Sequence, residues 1–188
     1  GKLKVSIDQT WLDNAVYPVI VAPTFGYTSV GASNTGLDGT IGSFSAAPSS
    51  DGTIDSVSAR VAAKINTPET GKIKAALYLV SDSSLLSPQS AEIITVTYDA
   101  WNTMTFTGGL SITNGVSYYI SVWGTENTGP TNPGIYIKYD TGGSGHAYRT
   151  LAYGAWPNPF GSSSSTLKRS LYATYTASAT GNLLPAGT

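Results

Sequence analysis

Cysteine is absent from this chain of 188 residues, and charged side chains are scarce. The absence of cysteine excludes disulfides, thiol nucleophiles and thiolate metal sites. Ten Lys and Arg face eleven Asp and Glu, which is about half the charged share of an average soluble domain. The only adjacent basic pair is Lys168-Arg169. Because phosphate recognition requires clustered Lys and Arg, we predict that nucleic acid is not a partner.

Long apolar runs are also missing. None approaches the roughly 20 residues that a spanning helix needs, and no basic amphipathic stretch is present, so we predict no membrane insertion. The chain begins at Gly1, which we interpret as a processed N-terminus whose signal peptide has been removed. Gly, Ser, Thr and Asn are abundant in place of charged residues, and this composition is common in surface β-proteins. We therefore expect an extracellular or cell-surface location.

What the sequence does contain is apolar alternation with period two, interrupted by turn residues. Besides the two clearest alternations, we predict strands at residues 93–97, 101–106, 117–123, 134–139, 149–153 and 171–177. We predict turns at residues 51–52, 66–68, 113–115 and 142–145. A single helical turn is expected at residues 9–14. The clearest alternations are Val57, Ala59, Val61, Ala63, Ile65 and then Ile73, Ala75, Leu77, Leu79.

Many short strands with little helix predict an all-β fold, an antiparallel β-sandwich of jelly-roll type. A parallel sheet would require crossover helices, for which the chain has no room. We divide the chain into an N-terminal strand appendage (1–24), a sandwich domain (25–177) and a C-terminal tail (178–188). The Gly/Ser/Asn-rich residues 31–42 are interpreted as linker-like.

Five segments in the middle of the chain carry a family resemblance: residues 52–58 (GTIDSVS), 74–78 (KAALY), 101–106 (WNTMTF), 115–123 (GVSYYISVW) and 139–140 (YD). They resemble secreted jelly-roll modules of the carbohydrate-binding type in bacterial and archaeal surface proteins. Residues 17–24 (YPVIVAPT) are similar to a strand that closes one such module and leads into the next, with Ala22 in the place of an acid. The resemblance covers residues 17–160 and implies a fold without shared catalytic residues.

Candidate catalytic groups are few. The single histidine, His146, lies in a glycine-rich stretch, where we expect a solvent-exposed or backbone-bonded ring, and no nucleophile elbow is present. Phosphate-binding glycine motifs are absent, and zinc is disfavoured without cysteine. We therefore predict no enzyme activity, no cofactor and no metal. The acids are interpreted as solvated or turn-forming residues; they include Glu69, Glu92, Glu126, Asp38, Asp51, Asp55, Asp99 and Asp140.

Aromatic residues offer either a ligand platform or a core. The best candidate patch for a sugar is residues 148–160, with Trp156 as the main residue, Tyr153 and Tyr148 beside it, and Trp123 at a strand end. Aromatics also dominate sandwich cores, and we favour packing for this patch. Trp101 and Tyr118 are expected on the core faces of their strands.

The N-terminal strand suggests assembly. Leu3, Val5 and Ile7 have the alternation that a donor strand needs to complete a neighbouring sandwich. The alternative is that this strand pairs within its own chain, as terminal strands do by default. We therefore predict a structural subunit that polymerises with copies of itself. The alternative is a carbohydrate-binding module for polysaccharide, and a third reading is a passive spacer within a longer surface protein.

Overall fold

The computed structural model describes residues 22–37, 39–63, 71–125 and 134–178. These residues contain no helix, and so none that is long and apolar enough to cross a membrane. They form ten strands: β1 (Thr24–Gly26), β2 (Ser33–Gly36), β3 (Thr40–Ala46), β4 (Gly52–Arg60), β5 (Ile73–Leu79), β6 (Trp101–Ile112), β7 (Tyr118–Gly124), β8 (Tyr136–Thr150), β9 (Ser163–Arg169) and β10 (Leu171–Ala177).

Two antiparallel sheets pack face to face. The smaller sheet has the order β1-β10-β4-β6. The larger sheet has the order β2-β8-β3-β7-β5, and β9 pairs with β8 as its sixth strand. The prediction of an all-β antiparallel sandwich is confirmed. The predicted donor strand (Leu3, Val5, Ile7), the helical turn at 9–14 and the turn at 66–68 lie outside the described residues, as does all of the predicted tail (178–188) except residue 178.

The core between the sheets is filled by side chains at alternating positions. On β10, Leu171, Ala173 and Tyr175 are completely buried, while the residues between them are partly exposed. The opposing strand β7 contributes Ile120 and Val122, both fully buried. This period-two burial is the pattern from which the strands were predicted.

The central strands of the larger sheet are buried on both faces. On β5, Ala75 and Leu77 face the main core, whereas Ala76 and Tyr78 belong to a second apolar cluster on the outer face. On β7, Trp123 also belongs to this second cluster. A strand covered on both faces reads as a nearly continuous apolar run instead of an alternation.

Glycine-rich bulges interrupt β6 and β8. Between the pairs Thr141–Leu167 and His146–Ser165, the four residues 142–145 of β8 lie opposite the single residue Thr166 of β9. We expected a turn between strands here, but these residues lie within β8. Gly143 has a φ of 101° and an added Cβ would lie 2.8 Å from His146 Nε2, so a side chain at this position meets both strain and a close contact.

Two more predictions about elements differ from the structure. Residues 31–42, interpreted as linker-like, contain β2 and the start of β3, and Leu37 and Ile41 are fully buried. Residues 93–97 form no strand; only Ile93 makes a bridge, to Ile73. Ile93 bridges β5 at the edge of the larger sheet, and Ser90, three residues earlier, bridges Phe106 of β6 at the edge of the smaller sheet. The chain here therefore runs between the edges of the two sheets. It therefore cannot pair along either edge for long.

Trp101 lies on the outer face of the smaller sheet, not in the core as expected. Its ring packs edge-on against Tyr172 with centroids 5.0 Å apart. On β6 the buried positions begin with Asn102 and Met104, so Trp101 has the opposite phase. A shift of one residue moves a side chain to the other face of a sheet. Tyr118, in contrast, is in the core as predicted.

Candidate functional site

The predicted aromatic patch folds back over the outer face of the larger sheet. Phe160 is 0 % exposed, and its ring stacks on Tyr78 with centroids 4.7 Å apart. The Phe160 N–H donates to the Ser83 carbonyl at 2.8 Å, and the Tyr78 hydroxyl donates to the Pro157 carbonyl at 3.0 Å. Residues 151–160 therefore close a second small core, which agrees with our preference for packing.

Three of the four predicted sugar-binding residues surround a lysine. The Lys74 Nζ lies 4.7 Å from the ring centroid of Trp123, 4.4 Å from Tyr153 and 5.3 Å from Trp156. It also donates a hydrogen bond to the Gly154 carbonyl. We call the three rings the lysine cage. Ring faces attract a cation electrostatically, and more strongly when water is partly excluded.

The electrostatics of the cage extend to one carboxylate. Burial lowers the pKa of Lys74, and the nearby Glu92 opposes this effect. The Tyr153 hydroxyl donates to Glu92, whose other oxygen lies 3.2 Å from Lys72 Nζ. The Tyr153 hydrogen bond, with the charge of Lys72, lowers the pKa of Glu92. Glu92 therefore anchors the ring that covers Lys74.

The cage leaves little of the predicted sugar platform available. Trp123 is 0 % exposed, so of the two roles expected for it at a strand end, ligand platform or core, it takes the core position. Tyr153 and Trp156 are half-buried, and Lys74 lies over both rings. Tyr148 does not join them. Its side chain is on β8, 37 % exposed, at a separate groove.

That groove lies over the larger sheet and has a volume of about 410 Å³. Its walls are formed by short polar residues of β2, the start of β3 and β9, including Thr35, Ser164 and Thr166. Tyr148 and Arg169 complete the lining. The hydroxyls in this groove can both donate and accept hydrogen bonds.

His146 lies beneath the β8 bulge and is buried, not solvent-exposed. Its ring stacks on Phe44 with centroids 4.3 Å apart, and its Nδ1 accepts a hydrogen bond of 3.3 Å from the Ser45 N–H. Burial, with the charges of Arg169 and Lys168, lowers the pKa of His146. A neutral, backbone-bonded ring agrees with one of the two environments expected for it.

On Phe44, which also stacks on this ring, packs the tyrosine of a tyrosine–aspartate pair. The Tyr27 hydroxyl donates to Asp140 Oδ2 at 2.5 Å, and the Ala32 N–H donates to Asp140 Oδ1 at 2.9 Å. These bonds lower the pKa of Asp140 and raise that of Tyr27. The Lys168 Nζ lies 4.2 Å from the Tyr27 ring centroid. The pair ties the segment after β1 to β8, which is a structural role.

Sequence reasoning missed Lys74, Tyr27 and Arg169. The sequence did contain a signal that Lys74 is in an unusual environment, because it is the only charged residue within the apolar run of β5. A signal also existed for Arg169, because adjacent residues on a strand point to opposite faces. On β9, Lys168 and Arg169 accordingly face opposite sides, and Arg169 is the buried one. Across the described residues, no three His, Asp or Glu side chains form a group that could hold a metal ion.

Comparison with known proteins finds no family model that matches this sequence and no curated protein with significant similarity to it. The resemblance to surface jelly-roll modules therefore stays a prediction.

Proposed function

We propose that this chain is a non-catalytic structural subunit of an extracellular assembly, in which an N-terminal strand of one copy pairs with a sheet edge of the next. The donor is the alternating segment Leu3, Val5 and Ile7. An added strand contributes main-chain hydrogen bonds and fills pockets with every second side chain. Because the contact is head-to-tail and does not close, it extends into a filament.

The observation that carries this proposal is the position of β1. This strand has only three residues and forms the outer edge of the smaller sheet, where it covers residues 172–174 of β10. Just before it, the Pro23 carbonyl accepts the Tyr175 N–H at 3.0 Å. The described chain therefore starts, at Ala22, beside a sheet edge, the part of a β-protein that most readily pairs with another chain.

Chain length also supports exchange. Residues 8–23 separate the donor segment from β1, and sixteen residues span at most roughly 53–58 Å when extended. A domain of about 150 residues has a radius of gyration of only about 15 Å. Residues 8–23 are thus long enough for the donor segment to reach a neighbouring copy.

Sparse charge favours close contact between copies. The described residues contain two ion pairs, Arg60–Asp99 and Lys72–Glu92. The exposed positions of β9 are serine and threonine. Little like-charge repulsion opposes the stacking of such surfaces.

The proposal is tested by two substitutions on opposite faces of the donor strand. Val5→Asp places a charge where an apolar side chain would enter the neighbour, so sedimentation velocity is expected to detect monomers only. Ser6→Asp adds the same charge on the other face and leaves the large species intact. If both variants sediment like the unsubstituted chain, or if that chain is itself monomeric, strand exchange is wrong.

A further inference from the structure

The groove at Tyr148 has the composition of a binding site for a small polar ligand. Its volume of about 410 Å³ lies within the roughly 300–1,000 Å³ of typical ligand sites. Thr35, Ser164, Ser165 and Thr166 are among its lining residues, and each carries a hydroxyl. Such groups match a ligand that carries several hydroxyls of its own, since both sides can donate and accept.

Tyr148 supplies an apolar surface beside these hydroxyls. It is one of three large hydrophobic residues that are exposed among the described residues, and the only aromatic one. The ring faces of sugars present C–H groups that pack on an aromatic side chain. An exposed tyrosine bordered by hydroxyls is therefore a suitable surface for a saccharide.

Arg169 gives the groove a charge without a counterion. The residue is 3 % exposed, and its Nη1 donates only to neutral oxygens: the carbonyls of Ser43 and Ala147, each at 3.1 Å, and Ser165 Oγ at 3.4 Å. Neither ion pair of the described residues includes it. Its Nε is buried without a hydrogen-bond partner in this part of the chain.

A buried guanidinium without a carboxylate is unfavourable because water no longer solvates its charge. Burial accordingly lowers the pKa of Arg169 to about 10. An anionic group brought into the groove would relieve this cost. Guanidinium groups are well suited to bind carboxylates through paired hydrogen bonds.

The surrounding strands add to the positive potential. Between residues 136 and 169, Lys138, Arg149, Lys168 and Arg169 are opposed by a single acid, Asp140. Asp140 is already engaged by the Tyr27 hydroxyl and the Ala32 N–H. The strands around the groove therefore carry a net positive charge, and Arg169 is the one of these four cations that lines the groove itself.

We infer that the groove binds an acidic saccharide, with a sugar ring on Tyr148, its hydroxyls on the serine and threonine side chains, and its carboxylate directed to Arg169. This inference does not depend on strand exchange. It gives the chain a way to attach to anionic polysaccharide at a cell surface, at a site that shares only Tyr148 with the predicted Trp156 patch.

The test is isothermal titration calorimetry of the full chain with trigalacturonic acid. The neutral probe is its methyl ester, and the acidic probe without sugar is triglutamate. Ser164→Glu adds a negative charge to the groove, and Ser111→Glu adds the same charge at an exposed position of β6. Tyr148→Ala removes the exposed ring without disturbing the core, and circular dichroism verifies that each variant is folded.

We expect trigalacturonate to bind and its methyl ester to bind at least about tenfold more weakly, since a charge-assisted hydrogen bond is lost. Ser164→Glu and Tyr148→Ala are each expected to weaken binding about tenfold, and Ser111→Glu to change it by less than about twofold. Equal binding of the ester overturns the role of Arg169. Equal binding of triglutamate, no binding of trigalacturonate, or equal effects of the two serine substitutions overturns the site.

Discussion

Replacing Phe160 with alanine tests whether residues 151–160 form part of a core or a loop that is free to bind. Phe160 is 0 % exposed, stacks on Tyr78 at 4.7 Å and meets Tyr119 edge-on at 5.7 Å. Truncation of a fully buried phenylalanine leaves a cavity and costs about 3–5 kcal/mol of unfolding free energy. For a chain of this size the melting temperature would fall by about 6–20 °C.

Tyr148→Ala is the matched control, because this aromatic belongs to the same predicted patch but is 37 % exposed. We expect it to change the unfolding free energy by less than about 1 kcal/mol. Equilibrium urea unfolding, followed by circular dichroism and by tryptophan fluorescence, measures both variants. Trp123 and Trp156 report on the second cluster. Equal effects of the two substitutions, or a fluorescence transition that precedes the loss of strand signal, would refute the second core.

Two further predictions concern charge and pH. Lys74→Gln removes the cation from the three rings of the cage and is expected to cost about 1–2 kcal/mol. Lys72→Gln, which breaks the exposed ion pair with Glu92, should cost less than about 0.5 kcal/mol of unfolding free energy. Urea unfolding measures both variants, and equal losses of unfolding free energy would contradict the cage. The pKa of His146 lies below its ordinary value of 6.5, so the unfolded chain protonates first and stability falls as pH drops below about 6.5. His146→Gln should flatten the dependence of unfolding free energy on pH between about 7 and 5, and an unchanged slope contradicts the buried neutral ring.

Alternation predicted the sandwich well where one face of a strand is buried and the other is exposed. Residues 171–177 were predicted as a strand and form β10 with the same bounds. The pattern failed where polar strands are held by neighbours instead of by a core. β2 (Ser33–Gly36) and β9 (Ser163–Arg169) are largely polar, and pair along β8. Their strand character comes from the sheet around them, which short-range pattern does not contain.

Only part of the candidate site was predicted, because here too the sequence pattern does not show which elements become neighbours. The sequence grouped Tyr148, Tyr153 and Trp156 because they are close along the chain, whereas the structure separates Tyr148 from the others. Residues 151–160 turn back over the outer face of β5 and β7, so Tyr153 and Trp156 meet Lys74, which is distant in sequence. Period-two alternation places Lys74 on one face of β5 but does not say what covers that face.

Assembly through the N-terminal segment is tested most directly by negative-stain microscopy of the full chain beside a version that lacks residues 1–21. The shortened chain begins at Ala22 and keeps β1 and all other described strands. We predict filaments from the full chain and single particles of monomer size from the shortened one. Monomer-sized particles from both, or filaments from both, would contradict strand exchange as the basis of this protein's function.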